Sequence, residues 1–116
     1  RVESIASELA AEGVSIEIID LRTVDLVSLD YDTIGKSLEK TGAVAIVEEA
    51  DGGLAIGARI AAELTNRFFD EVDGPPAYLT SKNVSNSVSR VLEEAVMLSD
   101  KEIFDGLLQV GKRIWR

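Results

Sequence analysis

Histidine and cysteine are both absent from the 116 residues of this chain. Without imidazole there is no histidine general base, no Ser-His-Asp triad and no histidine metal ligand. Without thiols there is no thiolate nucleophile, no disulfide and none of the usual structural zinc sites. Aromatic residues are scarce too, at 5% against 46% hydrophobic residues overall, so the core has to be aliphatic and alanine-rich. No run approaches the roughly 18 apolar residues of a membrane-spanning helix. No cleavable signal pattern opens the sequence, so a soluble, intracellular protein is expected. Basic residues are the last shortage, 12 against 21 acidic ones, for a formal charge of −9. Such a surface repels nucleic acid and anionic membranes and favours a basic protein partner. Carboxylates, lysines, hydroxyls and backbone groups are the chemistry that remains.

What is present is a pair of short apolar runs, each ending in charge. Ser15-Ile16-Glu17-Ile18-Ile19-Asp20-Leu21-Arg22-Thr23 is one, and Val44-Ala45-Ile46-Val47-Glu48-Glu49-Ala50 is the other. Runs rich in β-branched residues without strict alternation fit strands buried on both faces of a parallel sheet. In such sheets function gathers beyond the carboxyl ends of the strands, which is where Asp20, Arg22, Glu48 and Glu49 fall.

Helical patterns separate these runs. Val2, Ile5, Ala6 and Leu9 share a face, with Gly13 placed as a helix-terminating glycine. A chain opening within a helix, with no strand before it, reads as a fragment of a domain. The first strand is expected over Val14 to Leu21. A helix follows from about Tyr31 to Lys40, capped by Asp30 and ended by Gly42, and then a strand from Ala43 to Val47. A long helix is expected over roughly Ala55 to Phe69, and Asp73-Gly74-Pro75-Pro76 forms a turn before a short strand at Ala77 to Thr80. Ser81 to Ser89 reads as an irregular loop and Arg90 to Met97 as a helical piece. Ser99-Asp100-Lys101-Glu102 has capping-box spacing and launches a last helix with Ile103, Leu107, Val110 and Ile114 as its buried stripe. This alternation predicts an α/β protein of three layers with a mainly parallel central sheet.

Several motifs carry a chemical reading and a plainer one. Gly106-Leu107-Leu108-Gln109-Val110-Gly111-Lys112-Arg113 nearly spells a phosphate loop, but Arg113 stands where a magnesium-binding hydroxyl is needed, and the segment lies within a helical stripe. Gly52-Gly53-Leu54-Ala55-Ile56-Gly57 is placed like a dinucleotide fingerprint with the wrong spacing; a tight turn with a close helix–sheet contact is the plainer reading, and anion binding at the helix start the alternative. Glu48 and Glu49 could form an acid–base pair, yet neighbours on a strand point to opposite faces. A strand-end carboxylate more often caps a helix or pairs with an arginine. Asp20 and Arg22, at i and i+2, suit an ion pair or a subunit contact. Asn83-Val84-Ser85 matches a glycosylation sequon by chance. Lys112, Arg113 and Arg116 complement a helix C-terminus, and Trp115 is either a packing anchor or an interface residue.

In their order these pieces resemble the carboxy-terminal domain of the β subunit of thiamine-diphosphate-dependent 2-oxo acid dehydrogenases, the E1 component of pyruvate and branched-chain complexes. The resemblance rests on Glu12 to Thr23, Leu29-Asp30-Tyr31-Asp32-Thr33-Ile34, Lys40-Thr41-Gly42, Ile46-Val47-Glu48-Glu49-Ala50, Phe68 to Asp73 and Leu92-Glu93-Glu94-Ala95. It implies an enzyme that decarboxylates a 2-oxo acid oxidatively and passes the acyl group to a lipoyl acyltransferase, E2. Thiamine diphosphate and magnesium would be held elsewhere in an α2β2 assembly, and this domain would carry no catalytic, cofactor or metal residue. Its implied partners are the α subunit, a second β subunit and the basic peripheral subunit-binding domain of E2. Its implied setting is a bacterial cytoplasm, or a plastid or mitochondrial matrix. Candidate contact residues are Asp20, Arg22, Glu48, Glu49, Asn83, Ser85, Ser87, Trp115 and Arg116. The family's first strand and its whole pyrimidine-binding half are missing, which leaves a gap in the sheet. The stretch Asn83 to Val88 also lacks the family's two prolines and tyrosine. Rival readings are a divergent α/β interaction module without catalysis, or the matching domain of a transketolase or deoxyxylulose-phosphate synthase.

Overall fold

A computed structural model describes residues 1–51, 55–85 and 88–114. Helix α1 (Val2–Ala11) points Ile5 and Leu9 inward and ends at Glu12. Gly13 follows at φ +84°, its N–H donating to the Ala10 carbonyl and that of Val14 to the Leu9 carbonyl. This pair of bonds is a Schellman closure, with Val14 and Leu9 supplying the apolar contact that goes with it. Helix α2 (Tyr31–Thr41) starts where Asp30 accepts from the Thr33 N–H at 3.1 Å, and stops at the left-handed Gly42. Strand β1 (Ala45–Asp51), helix α3 (Ile56–Arg67), strand β2 (Ala77–Ser81), helix α4 (Arg90–Val96) and helix α5 (Asp100–Ile114) complete the order. The helices expected from periodicity are all formed, within two residues at each end. Strand β1 begins later than expected and runs on through Glu48 and Glu49.

The two strands pair in parallel, Ala45 opposite Ala77 through Glu48 opposite Thr80, with an irregularity before Asp51 meets Ser81. Parallel strands are stable only when both faces are covered, and here each face has its own apolar cluster. Ala45, Val47 and Leu79 pack on the cluster of Ile5, Leu9, Val14, Leu98, Ile103 and Leu107, built by α1 and α5. Val44 and Ile46 pack on the opposite cluster of Leu29, Ile34, Leu38, Ile60 and Leu64, built by α2, α3 and the segment before α2. Arg1 reaches Asp100 at one end of the first layer, while Val14 meets Gly111 at the other, so α1 and α5 run side by side in the same direction. The α/β class and its layering therefore stand as expected.

The expected first strand does not form. From Val14 to Leu21 the chain makes no ladder hydrogen bond, and among the described residues β1 pairs with β2 alone. Side chains nevertheless hold this stretch in the sheet layer. Val14 and Ile16 join the α1–α5 cluster, Leu21 joins the α2–α3 cluster, and Glu17 accepts from the Ser37 hydroxyl of α2 at 2.8 Å. Apolar patterning thus fixes where the segment lies, but pairing needs another backbone within about 5 Å, and no described residue offers this segment a ladder bond. Ile18 and Ile19 stay 46% and 37% exposed in consequence.

Leu9 is fully buried at the centre of the first cluster. Leu9→Ala should cost about 2–5 kcal/mol in urea unfolding, and Val27→Ala, at a side chain 91% exposed, less than about 0.5 kcal/mol.

Candidate functional site at the strand ends

Because β1 and β2 are parallel, both carboxyl ends open on one rim. Glu48 sits there half-buried, and its Oε2 accepts from the Gly57 N–H at 2.9 Å and from the Tyr78 hydroxyl at 2.7 Å. Gly57 lies in the first turn of α3, so the carboxylate satisfies a helix N-terminus that would otherwise attract an external anion. Glu48 is a cap held by a tyrosine from the neighbouring strand. The carboxylate thereby takes up one of the N–H groups at the start of α3.

Glu49 points the other way and is exposed, 3.9 Å from an Arg1 guanidinium nitrogen. Arg1 gives its Nε to Asp100 at 2.7 Å and an Nη to the Leu98 carbonyl at 2.5 Å, so it ties the starts of α1 and α5 together. The two glutamates point apart and do not converge on one position. Asp20 and Arg22 do form the expected ion pair, at 3.6 Å, though not on a strand. Arg22 adopts φ +53°, with its N–H bonded to the Asp20 carboxylate at 3.3 Å, which makes the pair a turn rather than two neighbours on a pleat. Both side chains are exposed, so the pair contributes little to stability. Asn83 and Ser85 lie exposed in the irregular segment after β2. Ser87, Trp115 and Arg116 fall outside the described residues, as do Gly52, Gly53 and Leu54, and with them the side chain of Ile114.

Sequence reasoning missed Tyr78, whose hydroxyl holds Glu48. Its position opposite Ile46, two residues before Glu48 in the paired strand, carries that signal only once the strand register is known. The glycines of the phosphate-loop lookalike have a packing explanation. A Cβ on Gly106 would come within 2.6 Å of the Leu79 side chain, and one on Gly111 would collide with Val14. Gly57 behaves likewise toward Tyr78 and Ile46, as the close helix–sheet reading requires.

Other helix starts are also filled from within. Thr33 donates its hydroxyl and N–H to Asp30, and these bonds hold the Asp30 carboxyl below its ordinary value of 3.8. At α5 the capping box is complete, with the Ser99 N–H donating to Glu102 at 2.8 Å and the Glu102 N–H to the Ser99 hydroxyl at 3.2 Å. The Ser99 N–H and hydroxyl lower the Glu102 carboxyl below 4.5. Among the described residues no three carboxylates gather as metal ligands. A groove of about 380 Å³ runs along the flank of α2, lined by Tyr31, Asp32, Gly35, Lys36, Glu39 and Phe68. It belongs to that flank, not to the strand ends.

With the layered sheet, the glycine contacts and the self-capped rim established, the chain takes its place in a known class. It belongs to the family described as transketolase, C-terminal domain, whose model matches residues 1–103. Its sequence is similar to proteins named pyruvate dehydrogenase E1 component subunit beta. It is 33% identical to that of Porphyra purpurea over 102 residues, which is 88% of this chain and 30% of that protein. It is 33% identical to that of Rhizobium meliloti over 105 residues, 90% of this chain and 22% of that protein. It is 33% identical to that of Rickettsia bellii over 105 residues, 90% and 32% of the two. The chain thus spans about a third or less of these relatives.

Two outcomes test this account of the rim. Glu48→Ala should lower stability in urea by about 1–3 kcal/mol, because the Gly57 N–H and Tyr78 hydroxyl lose a charged acceptor, whereas Glu49→Ala should change it by less than about 0.5 kcal/mol. For Asp30 and Glu102 the folded chain holds the carboxyl below its unfolded value. Their stabilisation is complete above about pH 4–5 and is lost as the pH falls through the lowered values. The melting temperature should therefore fall as the pH drops from the ordinary values of 4.5 and 3.8 toward the lowered ones, and Asp30→Asn with Glu102→Gln should flatten that limb.

Proposed function

We propose that this chain is the carboxy-terminal domain of an E1 β-type subunit, serving the assembly of a 2-oxo acid dehydrogenase rather than its chemistry. What supports the reading, beyond the family, is the unfilled place in the sheet. The segment Val14–Leu21 and strand β1 lie in the same layer with no ladder between them. Crossovers between parallel strands are right-handed almost without exception. Helix α2, leading from Val14–Leu21 to β1, covers one face, and α1, leading into Val14–Leu21, covers the other. Opposite faces demand opposite directions of travel, so a strand feeding α1 belongs on the β1 side of Val14–Leu21. That is the vacant position. A longer polypeptide contributing such a strand, as relatives three times this length could, would close the sheet and cover Ile18 and Ile19.

The residues described here do not fit thiamine diphosphate or magnesium. No metal-ligand cluster exists among them, and the starts of α2, α3 and α5 are occupied by their own carboxylates. No catalytic step is assigned to this chain. In the assembled enzyme the cofactor would supply decarboxylation from a site formed by other parts. The α subunit and a second β subunit would be the assembly partners. The −9 charge suits docking of a basic subunit-binding domain, where charge complementarity governs encounter and specificity more than affinity.

The natural gene product carrying this sequence should co-purify with an E1 α subunit and, given thiamine diphosphate and magnesium, oxidise a 2-oxo acid in the presence of lipoyl E2. Failure to bind any α subunit, with the product folded, would overturn the assembly role. Its complex with the E2 subunit-binding domain should weaken as sodium chloride is raised from about 50 to 500 mM, and absence of binding at every salt concentration would remove the docking role alone.

A further inference from the structure

We draw no further inference here: the strongest candidate, the exposed apolar patch of Val88, just before the short helix α4, with Val91 and Leu92 on it, carries nothing because nothing in the structure shows what covers it.

Discussion

Three glycines govern how closely the helices of this chain can approach its strands. Gly106 admits Leu79 of β2 against α5, Gly111 admits Val14, and Gly57 brings α3 down onto Ile46 and Tyr78. With a Cβ at any of them the facing side chain or the helix would have to shift, most cheaply at Gly106, where the ends of the Leu79 side chain are what it meets. The aliphatic composition makes this approach necessary. Few aromatic rings are available to fill a wider gap, so the sheet can be covered only by helices drawn in close.

The same proximity determines what becomes of the charged strand ends. Once α3 lies on β1, the Glu48 carboxylate is within reach of the Gly57 N–H, and Tyr78 from β2 completes its coordination. Asp30 and the Ser99–Glu102 pair do the same for α2 and α5. In many open α/β sheets such helix starts are left free for phosphates or other anions. Here the chain occupies them with its own side chains, and the rim becomes a structural seam.

Much of this was legible in the sequence because it depends on local chemistry. The capping box at Ser99, the Asp30 cap, the turn at Gly42 and the stripe of Ile103, Leu107 and Val110 are each specified within one or two helical turns. The closing of Gly13 on Ala10 and of Val14 on Leu9 is of the same kind. The misplaced expectation was the strand at Val14 to Leu21, and it failed for a reason local pattern cannot reveal. Val14, Ile16 and Leu21 do pack into the two layers, while Ile18 and Ile19 stay exposed; a ladder needs a neighbour, and the neighbour is not encoded in the segment itself. Arg22 failed in a similar way. Spacing placed it two residues along a pleat from Asp20, but the chain turns there, so the ion pair is real while its geometry differs. Tyr78 went unnoticed because its role depends on register between strands thirty residues apart.

The empty ladder positions flanking β1 and Val14–Leu21 have a consequence for handling. Backbone edges without a ladder partner among the described residues, beside exposed Ile18 and Ile19, are templates for adventitious pairing with any extended peptide, including another molecule of the same kind. Association through these edges should rise with concentration, which limits how concentrated the chain can be kept monomeric.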